Sequence, residues 1–497
     1  SSVVNPVAQE LCDNIDNNCD GIQDSFACEH VLDDLSSLGF KISYDLSSAN
    51  AALGFSLRGV GDVSGDGVGD FVVASRTSSD FGGTSSGTSF LFYGPLSSDR
   101  QVSQADAVLY GAADEFSGHA LSGGNSVLGI SNDMNQDGSG DIIISAIRAQ
   151  NQQGVVYIVH GPVLADVPLA SDSAGSLVGE VSGDQLGKGA VAFVSDVNGD
   201  GADDILIGSA RNDSLGNNGG AAYLILGGPT VPTGDVAAAA EVTLYGQIDE
   251  ELGYSVSQAG DVNGDGLMDV IIGSDRFDVT TENGTVIGNA GRTYLFLGEA
   301  SPSWDLTQAD ATYDGILAAD KSGNTLSSVG DSDGDGLDDF VIAAMGADYN
   351  TESNVGAAYL ITESPNGNVS LSDSQAVFYG EEWNGIRADS QLGRSVTGAG
   401  DLDQDGSRDI AIGVKRSDRN GVDSGAVFLY FGPFQGTYLA PHGVIAGEAP
   451  ADEAGISVDV LEDMDGTGSP ELLIGADKHN SISGAAYILL SDSLFAN

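Results

Sequence analysis

The residues best placed for chemistry are carboxylates. The stretch "DVNGDGLMD", Asp261 to Asp269, carries oxygen-bearing side chains at its first, third, fifth and ninth positions and glycine at its sixth. Without a counter-charge, Asp261, Asp265 and Asp269 repel one another in so short a loop. Such a cluster either raises its pKa values or binds a cation. The alternate spacing lets a tight turn aim several oxygens inward, and Gly266 permits a backbone angle that other residues resist. A flexible cage of hard oxygen donors suits calcium.

The loop recurs along the chain. Asp62/Ser64/Asp66/Asp70 is the first copy, followed by Asp133/Asn135/Asp137/Asp141 and Asp196/Asn198/Asp200/Asp204. Asp261/Asn263/Asp265/Asp269, Asp331/Asp333/Asp335/Asp339 and Asp401/Asp403/Asp405/Asp409 complete a set of six. A seventh, Asp463/Asp465/Thr467/Glu471, lacks the fifth-position acid and is expected to bind weakly. From Asp62 to Asp463 the copies step by about 67 residues, a period that calls for a repeat architecture. An EF-hand would need a glutamate at the twelfth position. That position is Val73, Ile144, Ile207, Ile272, Ile342, Ile412 or Ile474, so each loop closes at its ninth residue and enters an apolar segment.

These segments are strands. "FVVAS", "IIISA", "VIIGS" and their counterparts are short, apolar and rich in β-branched residues, as strands buried on both faces are. A second signature follows in each repeat, such as "GAAYLILGGP", opening on glycine and usually ending in a turn. Segments such as "VLYG" and glycine-led strands such as "LGYSVSQAG" bring the count to four strands per repeat. The cation loop lies between the first and second. Such units cannot bury both faces alone and must stack. Seven arranged radially give an all-β, seven-bladed propeller of four-stranded blades. A linear array of β modules is the alternative.

The "LG" before each loop, the nine-residue acidic loop and the "GA" opening the third strand resemble the FG-GAP repeats of the integrin α-subunit propeller and its bacterial relatives. The resemblance covers roughly residues 38–497. It implies calcium held by side chains at loop positions one, three, five and nine and by the carbonyl at seven. In the fourth loop these are Asp261, Asn263, Asp265, Asp269 and the carbonyl of Leu267. About six propeller calcium sites follow. No inserted adhesion domain is visible, so integrin-style ligand binding is not carried over.

Residues 1–30 form a separate segment ahead of a propeller at 31–497. "ELCDNIDNNCDGIQDSFACEH" resembles a Cys/Asp-rich metal-binding motif of secreted bacterial proteins. Asp16, Asn18, Asp20 and Asp24 repeat the loop spacing and imply one further cation site. A Cys12–Cys19 disulfide would staple a segment too small for its own core. Cys12–Cys28 and Cys19–Cys28 pairings, a zinc site from the three cysteines with His30, and a disordered acidic leader are the alternatives.

The chain has 17 Lys+Arg against 73 Asp+Glu, a formal charge of −56. Six calcium ions offset about 12 of those charges. The rest form a solvated acidic surface, which disfavours nucleic acid and anionic membranes as partners. No apolar run is long enough to span a membrane. The opening "SSVVNPVAQE" reads as a processed product or an excised piece.

No catalytic constellation emerges. Gly83-Thr-Ser85-Ser-Gly87 matches the hydrolase elbow by letter, but no helix follows it. His30, His119, His160, His442 and His479 fall at unrelated repeat positions. His160 is expected to be structural, and His119 to pack on an inner strand that borders the central channel. The expectation is a non-enzymatic, secreted or cell-surface module for adhesion, binding or structure, engaging an extracellular protein, a polysaccharide or copies of itself. A carbohydrate-active enzyme or lectin is the alternative.

Ring closure has its own expectation. The seventh repeat ends after "GAAYILLSD", without an outer strand. "LGFKISYDL", Leu38 to Leu46, has no blade of its own, and its Phe40, Ile42 and Tyr44 alternate with polar neighbours. It is expected to pair beside Gly484–Asp492 and close the ring.

Overall fold

The computed structural model describes residues 30–31, 35, 38–281, 283–350, 352–362, 367–380, 389–464 and 466–494. The N-terminal metal and disulfide expectations, from Cys12 to Cys28, lie outside these residues.

Seven sheets follow one another as blades of a ring. Blade four shows the plan. Its strands Leu252–Gly260, Asp269–Ser274, Arg292–Phe296 and Ala311–Asp314 form an antiparallel meander, with the acidic loop joining the first two. The second strand is buried along its whole length because both faces meet neighbouring blades. In blade one, Phe71 and Val73 pack toward blade seven while Val72 and Ala74 pack toward blade two. The period of two thus divides each strand between two interfaces.

The core is the set of those interfaces. Seven apolar clusters occur among the described residues, and each joins two adjacent blades. A linear array of seven would have six. The seventh cluster joins Leu461, Leu473 and Ile488 of blade seven to Leu57, Phe71 and Phe90 of blade one, so the ring is closed.

The expected closing strand is present. Gly39–Ser43 pairs antiparallel with Ala485–Leu489, in register from Gly39 opposite Leu489 to Ser43 opposite Ala485. Ile42 is fully buried there. The "LG" and "GA" signatures meet between blades. Bridges join Gly220 to Leu252, Gly356 to Leu392 and, across the closure, Leu53 to Gly484. Gly484 has φ +81°, and a Cβ there would lie 2.2 Å from the Leu53 carbonyl oxygen. Only glycine permits that approach.

The four-strand plan is complete but extended. In six blades a short fifth strand pairs in parallel with the outermost one. The connector of the following blade supplies it: Val167–Pro168 of blade two on blade one, Gly367–Ser370 of blade five on blade four. At the closure the N-terminal segment takes this part, with His30 opposite Gly443 and Val31 opposite Val444 on blade six. Blade three alone has a four-stranded sheet among the described residues.

Candidate metal centres

Each loop is shaped by its first aspartate. Asp261 accepts backbone N–H groups from Gly264, Asp265 and Gly266 at 2.7–3.0 Å. Asp62 does the same for Gly65, Asp66 and Gly67. The fifth-position aspartate accepts the N–H of the seventh residue, as Asp66, Asp137, Asp200, Asp265, Asp335 and Asp405 show. These bonds curl the chain and bring the first, third and fifth side chains to one side of the turn. Asp331, Asp333 and Asp335 bring one carboxylate oxygen each within 4.8 Å of one another, and so do Asp401, Asp403 and Asp405.

The third position differs between loops. The spacing makes Ser64, Asn135, Asn198 and Asn263 cation ligands in the first four, and in the structure each also bonds to an acid of its own loop. The Ser64 hydroxyl donates to Asp62 at 3.2 Å. Asn135 donates through Nδ2 to Asp137 and accepts the Asp137 N–H, each at 2.9 Å. Asn198 does the same with Asp200, at 3.1 and 2.9 Å, and Asn263 with Asp265, at 2.9 and 2.8 Å. The reason is chemical: an amide or hydroxyl can donate to a neighbouring carboxylate, whereas a carboxylate such as that of Asp333 or Asp403 can only accept. A cation entering the first four loops competes with these donors for the same oxygens. The all-acid fifth and sixth loops present theirs without that competition.

The ninth residue sits deeper. Asp70, Asp141, Asp204, Asp269, Asp339 and Asp409 are buried. One carboxylate oxygen accepts the N–H of the second loop residue, for example Val262 to Asp269 at 2.9 Å and Leu402 to Asp409 at 2.7 Å. In five blades the other accepts from a glycine just past the third strand: Gly94, Gly161, Gly227, Gly298 or Gly432. This acid therefore staples the loop to its blade. Burial pushes its pKa up, to about 6 for Asp70 and about 7 for Asp204, Asp269, Asp339 and Asp409.

The residues fit a hard divalent cation. Asp401 Oδ1 and Asp339 Oδ1 are buried without a hydrogen-bond partner. Asp403 is pushed up by burial and by Asp405 and Asp401 beside it. A cation bound by the oxygens at positions one, three, five and nine would relieve both conditions. The seventh loop keeps the turn, since Asp463 accepts from Gly466, Thr467 and Gly468, and Glu471 takes the ninth-position bond from Met464. Asp465 lies outside the described residues.

Two further features have no signature in the sequence. The eighth loop residue couples neighbouring loops: Asp203 Oδ2 accepts from Asp133 N–H at 2.6 Å, and Asp338 Oδ2 from Asp261 N–H at 2.9 Å. The segment after blade two's first strand forms a single turn, Ser126–Leu128, at the loop end of the channel. It is held from across the ring. Asn125 Nδ2 donates to the Val460 carbonyl, Ser126 N–H to Glu462, and Arg408 Nη1 to the Val127 carbonyl.

The histidines divide. His160 pairs with Asp141 at 2.9 Å and supports the second loop. His119 lines the channel, packs against Phe55 with ring centroids 5.3 Å apart, and is driven down to about 3 mainly by burial. Asp114, Asp249 and Asp389, which precede the inner strands, adopt left-handed backbone angles in turns. Ser85 lies in the loop between the second and third strands of blade one.

Comparison with known proteins agrees with this geometry. The "FG-GAP repeat" model matches residues 252–296 and 392–430, and a model described as "Putative metal-binding motif" matches residues 1–25. Integrin alpha-5 of Xenopus laevis is 34% identical over 37% of this chain and 16% of its own length. Integrin alpha-8 of Mus musculus is 30% identical over 46% of this chain and 20% of its own. Integrin alpha-PS2 of Drosophila melanogaster is 29% identical over 45% and 15%. The match thus spans a fifth or less of these relatives. A solved chain from the crystal structure of BBS1N in complex with ARL6DN covers 91% of this chain and 93% of itself, with 11% identity and a TM-score of 0.45. The repeats of this chain are FG-GAP repeats, and they build an integrin-like β-propeller that follows a match to a metal-binding motif.

Proposed function

We propose that the chain is an extracellular, calcium-loaded adhesion or binding module, and that it works by presenting a rigid ring rather than by catalysis. One observation carries this reading. Six loops repeat the same spacing of oxygen donors at one end of the ring, and in the fifth and sixth three carboxylates converge on a shared point. A reaction needs one centre, whereas six like centres bordering the blades suit stabilisation and rigidity. Likeness to integrin α chains supports a binding role. Among the described residues no helix is long and apolar enough to cross a membrane. The large side chains exposed there are aliphatic, Leu164, Leu215 and Val422 among them, rather than the aromatic platforms a sugar-binding face would display.

Calcium titration into EDTA-treated protein tests the reading. Calorimetry should count about six equivalents, and the melting temperature should rise with calcium. No bound calcium and an unchanged melting temperature would overturn it.

A further inference from the structure

The inner strands of all seven blades border a central channel with a cavity of ≈ 380 Å³. Its lining reverses the character of the chain. Arg58 of blade one, Lys188 and Arg211 of blade three and Arg394 of blade six line it, with Glu251 as the one carboxylate. The molecule as a whole has 17 Lys+Arg against 73 Asp+Glu. Random scatter of charge would give that cavity mostly acids.

Acids of the fold offset these cations only in part: Asp459 lies beside Arg58 deeper in the channel, and Glu251 attracts Lys188. Glu251 is engaged by Arg276 at 3.1 Å. Among the described residues no ion pair joins Arg58, Lys188, Arg211 or Arg394 to a carboxylate. Arg76 stands behind them, its guanidinium 3.5 Å from the Phe55 ring centroid and its Nε buried without a partner. Lys188 is driven down to about 8 by burial and by Arg211, against the pull of Glu251. Gathering like charges in a partly desolvated space costs stability.

The channel is also one-ended. The Ser126–Leu128 turn crosses it at the loop end, where Leu128 packs toward Gly398 of blade six. Arg76, Arg211 and Arg276 follow the second strands of their blades, at the opposite end from the loops. A ligand therefore enters from the pole away from the calcium loops. The volume lies in the range of small-ligand sites and is too small for a folded domain.

We propose that the open end of this channel is a binding site for carboxylate groups, delivered either by a free dicarboxylate or by an acidic side chain inserted from a protein partner. Arginine forks and the Lys188 ammonium match carboxylate oxygens. At physiological ionic strength, screening over ~8 Å hides most of the distant acidic surface from a group inside the channel. Calcium occupancy at the other pole does not enter the proposal.

Calorimetric titration of the full chain, at fixed free calcium, with succinate and separately with hexaglutamate peptide tests it. At least one probe should bind saturably. Succinate alone identifies a free small acid as the ligand, and hexaglutamate alone an inserted side chain. The double variant Lys188→Ala/Arg394→Ala should bind about tenfold or more weakly. It should also melt no lower than the parent, because it removes mutual repulsion. Arg394→Lys, which keeps the charge, should retain most of the affinity. Absence of binding by both probes, equal binding by the double variant, or a lower melting temperature of that variant would overturn the proposal.

Discussion

The two poles of the ring are built by opposite means. At the loop pole the same nine-residue unit recurs blade by blade, and the chemistry of one copy is close to the chemistry of all. At the other pole the cations come from three blades: Lys188 and Arg394 share the position after the "LG" pair, which other blades fill with Phe55, His119 or Tyr254, while Arg58 and Arg211 stand at other positions. The loop pole is acidic and local, each centre being complete within nine residues apart from the staple to the third strand. The channel pole is basic and non-local, and no residue there means anything alone. Local repetition makes a site robust to the loss of one copy. Convergence makes a single site that one substitution can disable.

Calcium removal should have the largest effect, because it strikes all the repeated loops at once and leaves the channel lining intact. With a dissociation constant of ~0.1 mM and calcium at ~10 mM, each independent site stabilises the fold by about 2.7 kcal/mol. Scanning calorimetry with excess EDTA should show a large fall in melting temperature. A constant value would remove the loops from the stability of the ring.

Ring closure comes next. Deleting residues 1–46 removes the strand Gly39–Ser43, the buried Ile42 and the flanking Phe40 and Tyr44. Deleting 1–30 removes only one residue of the His30–Val31 pair. The longer deletion should melt far lower than the shorter, and Ile42→Ala in the full chain should cost about 2–5 kcal/mol. Equal melting of the two truncations would place the closure elsewhere.

The ninth and fifth loop positions separate folding from metal binding. Asp409→Ala leaves the Leu402 and Gly432 N–H groups without their acceptor, at a cost of about 1–3 kcal/mol even in EDTA. Asp405 is exposed and accepts only from nearby loop N–H groups such as that of Ser407. Asp405→Ala should therefore lower stability in calcium but change it little in EDTA. Urea titrations of both variants in the two buffers would show the contrast, and identical profiles would deny the staple its role.

The smallest expected effect is on acid stability at the closure. Asp80 of blade one accepts from Ser47, Ser48 and the Tyr44 hydroxyl, all just beyond the closing strand. Burial raises its pKa, but these donors outweigh burial and hold it at about 2. The folded chain then binds fewer protons here than the unfolded chain, so stability rises with pH. The contribution is whole above about pH 4 and is lost as pH falls toward about 2. Asp80→Asn should flatten that part of the stability profile, and an unchanged slope would show that the bonds carry no weight.

Much of this architecture is legible in the order of the amino acids. The loop spacing, the aliphatic twelfth position, the "LG" and "GA" signatures and the orphan strand at Leu38–Leu46 are local patterns, and each has a local cause. The fifth strands are not legible. Val167–Pro168 and His30–Val31 are two residues long and carry no period, and pairing with a neighbouring blade alone makes them strands. The staple is half legible: the acid at position nine is clear, but its bond to a glycine some 20 residues onward is not. The third position is legible as a donor of oxygen, but spacing does not reveal that Ser64, Asn135 and Asn198 also bond to the acids beside them.

The repeated unit is set locally: its strands, its cation loop, and the glycines that let blades touch. These depend on backbone angles and on residues within about ten positions of each other, where chain connectivity fixes the distances. The tertiary structure alone decided what lies at the axis. Ser126–Leu128 becomes a plug because Arg408 of blade six and Val460 of blade seven hold it, and separated cations become one cavity because seven inner strands bring them to a common centre. Those distances are set by ring closure, and no span of the chain short of the whole ring contains them.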